Sequence, residues 1–249
     1  MSIETLTDTI LSKMSEVGKW QQDFLRHLFR LFLSMRGRYN FLNAARYGIF
    51  GEMTYRQHFE RPMDWAVFNY HLIMHTTAPE RFNSFDPSYL SKSGKYTPGV
   101  NWHWSGCAGK ARWGLEIGAF SVVDVVNHTA MHLVAEQTLS EQTQQHGSLL
   151  EYYGSLVERH ADMLLKISDF LVVDAYFSRK PFVDKVRECR LHLITRLRDD
   201  AVLYYPFLGP RREGRGRQKV FAGRVDTRSL SEEHFCACAC DEHDCTAYE

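Results

Sequence analysis

The chain has 249 residues, of which 44% are hydrophobic and 24% are charged, and 30 Lys and Arg residues balance 30 Asp and Glu residues. This size and composition suit one large globular domain, or a core with a smaller appendage. No apolar run approaches the roughly 20 residues that a membrane helix needs, and no signal peptide pattern opens the chain, so we expect a cytoplasmic protein without a membrane partner.

Two clusters of basic residues stand out against the neutral overall charge. Seven arginines fall within 26–61, and four arginines and a lysine fall within 211–219. Such clusters in a chain with no net charge suggest that particular faces of the protein bind a polyanion. Four of the six cysteines lie within 236–249, a spacing unlike a secreted disulfide framework, so reduced thiols are expected.

Residues 1–34 carry apolar side chains at helical spacing and predict one amphipathic helix. Two short helices are predicted next, over 40–46 and 54–60, with glycines between them and a proline after them. Short helices rich in arginine across a glycine-containing turn resemble a helix-turn-helix, so 1–78 is predicted to be a helical DNA-binding region. A plain helical bundle with a solvated basic face explains the pattern equally well. One more helix is predicted over 64–75.

The first predicted strand is an aromatic run that ends at Asp86 and is broken by Pro87. β-Branched and apolar runs over 113–126 and 128–136 predict a meander of antiparallel strands after it. A helix with apolar periodicity follows over 149–167.

A second apolar strand, starting at Phe170, also ends at an acid, Asp174. A helix over 182–188 and a strand over 192–197 come after it. A meander followed by alternating helices and strands predicts the α/β (α+β) class, with a mixed sheet flanked by helices.

The two strand-terminal acids, Asp86 and Asp174, would lie within a few ångströms of each other if their strands were neighbours. Mg²⁺ is the natural ion for such a pair because it prefers oxygen ligands, keeps several waters and binds one or two carboxylates plus phosphate. Paired ions roughly 4 Å apart can activate a water and stabilise the leaving oxygen of a phosphodiester. Taken alone, two capping or turn aspartates explain these residues as well.

An ordered set of motifs between about Arg36 and about Asp226 is similar to the IS4-like DDE group of bacterial insertion-sequence transposases. The motifs are FDPSY (85–89), KSGKYT (92–97), WSGC (104–107), GLE (114–116), HTAMHL (128–133), VVDAYFSRKPF (172–182) and RLRDDA (196–201). No single motif is decisive, and the ordered set carries the resemblance.

The resemblance implies a ribonuclease-H-like catalytic core over 79–202, preceded by the helical DNA-binding region. Asp86 and Asp174 would be the first two acids of the catalytic triad, each ligating Mg²⁺ or Mn²⁺. The implied reaction is hydrolysis at the transposon end, which frees a 3′-hydroxyl that then attacks target DNA. Double-stranded DNA of the element ends and of the target would be the partner. Members of the group commonly act as dimers on paired ends, so a homodimer associated with the nucleoid is expected.

The third acid of the group normally stands in a Tyr, Arg, Glu, Lys pattern on a late helix, after a β-rich insertion. Residues 203–249 begin like that insertion and continue into an atypical cysteine-rich tail. None of the glutamates there stands in the pattern: Glu232, Glu233, Glu242 and Glu249. We therefore expect an incomplete core and a C-terminally truncated, inactive transposase. The alternatives are a non-catalytic DNA-binding remnant that recognises element ends, and a ribonuclease-H-like nuclease that takes its last acid from the tail.

The alternating cysteines of this tail, together with its histidines, could also suggest zinc. Structural zinc sites usually separate paired cysteines by two to four residues, so a frameshifted or foreign tail explains the composition better.

Six basic residues are predicted DNA contacts, although solvated side chains explain them nearly as well. They are Lys92, Lys95 and Lys110 near the first acid, and Arg38, Arg46 and Arg56 in the helical region. Trp102, Trp104 and Trp113 could stack on a frayed base, but core packing is the more frequent role of clustered aromatic residues.

Overall fold

The computed structural model describes residues 2–94, 96–198, 200–210, 214, 216–231, 233–234, 237–240 and 245–248. The chain divides into two compact units, Met1–Arg196 and Leu197–Glu249. Within the described residues the architecture is mixed α/β, with eight α-helices. None of the helices in that part of the chain is long and apolar enough to cross a membrane.

Five helices precede the first strand. They are α1 (Ile3–Leu11), α2 (Lys19–Ser34), α3 (Phe41–Tyr47), α4 (Glu52–Phe59) and α5 (Trp65–Thr76). The expectation of one helix over 1–34 is wrong, because the chain breaks between α1 and α2. Met14 and Val17 of the break are buried, and they join Leu11 and Leu28 in one apolar cluster. The break therefore lets α1 contribute its apolar face to the same core as α2.

The two short helices α3 and α4 confirm the helix–glycine–helix pattern predicted for this region. Asn40 caps α3 by accepting a hydrogen bond from the Asn43 backbone N–H at 2.8 Å. Between the helices, a Cβ atom at Gly48 would lie 1.9 Å from the hydroxyl oxygen of Tyr55. Glycine is therefore required where α4 places the fully buried Tyr55 against the end of α3.

Six strands form the main sheet. They are β1 (Arg81–Ser91), β2 (Asn101–Ser105), β3 (Lys110–Asp124), β4 (Thr129–Gln137), β5 (Phe170–Val173) and β6 (His192–Thr195). The order is β2-β3-β1-β5-β6, with β4 also paired to β3. β3 is antiparallel to β1, β2 and β4, which confirms the antiparallel meander. β5 is parallel to both β1 and β6, so the sheet is mixed.

Three helices accompany the sheet: α6 (Ser140–Gln145), α7 (Leu149–Ile167) and α8 (Lys180–Glu188). α7 has the bounds that its apolar periodicity predicts, whereas α6 was not predicted. Every second residue of β3 from Gly114 to Asp124 is buried, and this face meets α7. Phe85, Phe120 and Leu156 belong to that core, together with Leu171 and Val173 of β5.

The second unit contains two antiparallel pairs of short strands. β7 (Tyr204–Pro206) pairs with β8 (Phe221–Arg224), and β9 (Ala237–Cys240) pairs with β10 (Cys245–Tyr248). The Tyr205 hydroxyl accepts a hydrogen bond from the Ser231 backbone N–H at 2.9 Å. Glu232, Glu242, Glu249 and the side chains of the tail cysteines lie outside the described residues.

Candidate active site

The strand pairing brings Asp86 and Asp174 to the same level of the sheet. β1 and β5 pair in parallel with Asn83 opposite Leu171 and Ser84 opposite Val172, an offset of 88 residues. The two acids are separated by the same offset (174 − 86 = 88), with Asp174 directly after β5. The expectation that the first strand ends at Asp86 is wrong, because β1 continues through Pro87 to Ser91, all of it paired with β3. Both line a cavity of about 490 Å³, which we call the acidic cavity.

The carboxylate of Asp86 carries the electrostatic signature of a close acidic pair. Burial raises its pKa above the ordinary value of 3.8, and the negative charge of Asp174 raises it further. Its oxygens accept no hydrogen bond from any described side chain or backbone group. A positive charge placed here would relieve the repulsion between the two acids.

Asp174 is held in place by its neighbours in the chain and in the sheet. Its Oδ1 accepts a hydrogen bond from the Tyr176 backbone N–H at 2.9 Å, which caps the short 3-10 turn that follows β5. The Thr195 hydroxyl of β6 donates to the Asp174 carbonyl at 2.7 Å. The alternative that both acids are capping aspartates is therefore correct for Oδ1 of Asp174. It is not correct for Asp86, whose carboxylate accepts no hydrogen bond from a described group.

Asn83 fixes β1 beside β5, three residues before Asp86. The side chain is fully buried, and its Nδ2 lies 3.2 Å from the Leu164 carbonyl, 2.8 Å from that of Ser168 and 3.2 Å from that of Phe170. It therefore ties the strand to the end of α7 and the start of β5. Sequence reasoning missed this residue; the available signal was a lone amide on the core-facing side of an aromatic strand.

A third carboxylate, Glu116, also lines the acidic cavity. It is only 6% exposed, and its Oε1 accepts a hydrogen bond from the Tyr153 hydroxyl at 2.5 Å. Burial, and after it the charge of Glu116, raises the pKa of Tyr153, which therefore remains a donor. In the sequence Glu116 was noticed only as part of the GLE motif.

The oxygen donors of Asp86 and Asp174 fit a hard divalent cation. Among the described residues there is no group of three His, Cys, Asp or Glu side chains placed to hold a metal ion. The site is thus not a closed protein cage. It suits an ion such as Mg²⁺, which takes one or two carboxylates and fills its other positions with water or substrate oxygens.

The basic residues predicted to contact DNA that the structure describes lie at the surface, and none of them lines the acidic cavity. Lys92 is exposed directly after β1, and Lys110 is exposed at the start of β3. Arg38 and Arg46 are exposed before and within α3. Lys95 lies outside the described residues.

Arg56 has partners within the helical region. Its guanidinium pairs with Glu52 one turn earlier at 2.6 Å and lies 4.9 Å from the centre of the Phe41 ring. Because of these two contacts, Arg56 is less available to bind a phosphate than Arg38 or Arg46.

The three clustered tryptophans are not core residues. Trp102 and Trp104 of β2 are 65% and 64% exposed, and Trp113 of β3 is 38% exposed. Trp104 lines the acidic cavity as well. The expectation of core packing is therefore wrong for this cluster, because β2 runs along an outer edge of β3 with no further strand beside it in the described sheet.

The chain matches no protein-family model and no curated protein.

Proposed function

We propose that the chain is a DNA transposase of the DDE type, which acts by metal-dependent phosphodiester hydrolysis and strand transfer at insertion-sequence ends. The observation that carries the proposal is the position of Asp86 and Asp174 at one level of neighbouring parallel strands, facing a common cavity. The mixed sheet flanked by helices supports a ribonuclease-H-like core.

Asp86 and Asp174 would hold Mg²⁺ or Mn²⁺, which when bound activates a water and stabilises the leaving oxygen of the scissile phosphate. Asp86 offers both of its oxygens, since no described group donates to them. Asp174 offers Oδ2, while the backbone N–H of Tyr176 orients its carboxylate through Oδ1. The Thr195 hydrogen bond keeps the turn after β5 in register with β6. No covalent intermediate with the protein is needed.

Double-stranded DNA is the proposed partner, as element ends and as target. Exposed Lys92 and Lys110 flank β1 and β3 and would contact the backbone near the acids. Arg38 and Arg46, beside and on α3, would serve a helix-turn-helix-like contact in the helical region. A homodimer on paired ends and association with the nucleoid follow from the transposase proposal.

Cleavage by this chain alone is expected to be slow. Asp86 and Asp174 supply two of the three acids that the group uses, and Glu116 is engaged by Tyr153. When several residues act together in one catalytic site, removing one of them usually lowers the reaction rate by orders of magnitude.

The test is donor-strand nicking of element-end DNA with Mg²⁺ or Mn²⁺. The Asp86→Asn and Asp174→Asn variants should lose any metal-dependent nicking, whereas Asp169→Asn, an exposed acid before β5, should keep it. Measurable metal-dependent nicking that is equal in wild type and Asp86→Asn would refute the proposal. Binding of ends by the wild type without nicking would favour a DNA-binding remnant instead.

A further inference from the structure

Three tryptophans of the β2–β3 hairpin project from one face of the sheet. Trp102 pairs with Trp113 and Trp104 pairs with Ala111, and directly opposite residues of paired strands share a face. The even-numbered residues of β3 from Gly114 to Asp124 form the face that is buried against α7, so Trp113 belongs to the opposite face. The three tryptophans therefore lie together on the face that is turned away from α7. We call them the tryptophan platform.

Asp86 belongs to the same face of the sheet as the tryptophan platform. It pairs with Ala119, which is an odd-numbered residue of β3 like Trp113. Trp104 also lines the acidic cavity, together with Asp86 and Asp174. A ligand that lies on the platform can therefore extend toward the acid pair without crossing the sheet.

Two rings of the platform are held in place by neighbouring groups. The Trp113 Nε1–H donates to the Gly94 carbonyl at 3.3 Å, and the Tyr89 hydroxyl donates to the Trp113 carbonyl at 2.6 Å. The rings of Trp102 and Trp113 meet edge to face, with centroids 6.0 Å apart. Rings that are fixed before binding lose little conformational entropy when a ligand stacks on them.

The charge of the surrounding segment favours a polyanion. Residues 87–115 contain four basic residues and no Asp or Glu. Lys110 and Arg112 stand at positions of β3 that face away from the platform. Lys92 is exposed, and the loop that begins with it is hydrogen-bonded to the Trp113 indole. A positive charge thus belongs to the loop beside the platform, and no carboxylate of the segment repels a phosphate.

The tryptophans suit single-stranded DNA better than a duplex. Trp102 and Trp104 are two residues apart in one strand, so their Cα atoms are separated by roughly 6.5 Å. Paired bases in a duplex are stacked about 3.4 Å apart and present only their edges in the grooves. An aromatic ring stacks on the flat face of a base, which is accessible when the strand is unpaired. Exposed rings at this spacing therefore fit the bases of an extended single strand.

We propose that the tryptophan platform binds a single strand of DNA, with bases stacked on Trp102 and Trp104. The choice of DNA as the ligand rests on the proposed function, which the platform deepens by adding a surface for an unpaired strand on the same face as Asp86. Stacking tolerates any base, because every base has a π-face. The platform therefore supplies affinity for the single-stranded form and not for a particular sequence.

The test measures binding of a fluorescein-labelled thymine oligonucleotide and of a blunt duplex of the same length, by fluorescence anisotropy. EDTA is present, so neither metal nor cleavage contributes. Trp102→Ala and Trp104→Ala should each weaken binding of the single strand about 5- to 150-fold, the usual effect of removing a stacking aromatic residue. Binding of the blunt duplex should stay unchanged in both variants.

Two further variants serve as controls. Trp102→Phe keeps an aromatic ring and should retain most of the affinity for the single strand. Trp20→Ala removes a similarly exposed tryptophan from α2 and should leave that affinity unchanged. Because Trp102 and Trp104 are largely exposed, their replacement should not unfold the protein, and guanidinium unfolding checks this.

Three results would overturn the inference. The first is no binding of the single strand by wild type, and the second is equal single-strand affinity in wild type and both platform alanine variants. The third is a platform that joins two copies of the chain: sedimentation velocity would then show a changed oligomeric state in Trp102→Ala without a change in single-strand affinity. Failure of the transposase proposal is distinguishable, because metal-dependent nicking that is equal in wild type and Asp86→Asn leaves the binding results in EDTA untouched.

Discussion

Replacing Asn83 with alanine should loosen the junction that holds β1 beside β5. The buried amide of Asn83 donates toward three backbone carbonyls, at the end of α7, in the following turn and at the start of β5. Alanine cannot donate, and water has no direct access because the residue is 0% exposed. The carbonyls would therefore lose their partner.

The size of the effect follows from the geometry. An amide has two N–H hydrogens, so it satisfies two of the three carbonyls well at one time. Leaving a buried acceptor unpaired costs about 1–3 kcal/mol. Removal of the Asn83 Oδ1 atom, itself without a partner among the described residues, offsets part of that loss. The expected decrease in the free energy of unfolding is about 2–4 kcal/mol.

Guanidinium unfolding followed by tryptophan fluorescence measures this change. All five tryptophans lie within the first unit, so the signal reports on the unit that contains Asn83. Ser84→Ala is the matched control, because that hydroxyl makes a single long hydrogen bond of 3.4 Å, and its loss should change stability by under about 0.5 kcal/mol. A decrease below about 1 kcal/mol for Asn83→Ala would refute the reasoning.

Two pH-dependent effects are expected in the first unit. The side chain and backbone of Asn127 donate hydrogen bonds to Asp124 and lower its pKa from 3.8 to about 2. The ionised Asp124 therefore stabilises the folded state above pH 3.8, and this stabilisation is lost as the pH falls toward 2. Asp124→Asn should flatten that part of an acid-unfolding curve, and an unchanged curve would contradict the assignment. Burial lowers the pKa of His58 below 6.5, so protonation of the unfolded chain destabilises the protein as the pH falls through 6.5. The Tm of wild type should drop between about pH 7.5 and about pH 5.5 more than that of His58→Phe, and equal drops would exclude His58 as a source.

Local periodicity was enough to predict several elements. The spacing of apolar residues and the Ser148 cap, which accepts from the Glu151 backbone N–H, define α7. Two apolar strands that were predicted to end in acids suggested that Asp86 and Asp174 could meet. The two acids do lie at one level of neighbouring parallel strands, although Asp86 is inside β1 and not at its end.

Other features depend on which distant residues meet, and periodicity does not contain that information. The partners of Asn83 are 81, 85 and 87 residues away, and Tyr153 is 37 residues from Glu116. The break between α1 and α2 was hidden because Met14 and Val17 continue the apolar pattern while the backbone turns. Exposure of Trp104 could not be predicted either, since an aromatic strand does not indicate which of its faces is covered.

The most direct test of the central claim is a Mn²⁺ titration of protein with ¹³C-labelled aspartate carboxyls, followed by NMR. Asp86 and Asp174 are proposed to bind one divalent cation together. The Asp86 and Asp174 resonances should then broaden before that of Asp169, and in Asp174→Asn the broadening at Asp86 should require much more Mn²⁺. Equal broadening of Asp86 and Asp169, or an unchanged response of Asp86 in Asp174→Asn, would contradict the account.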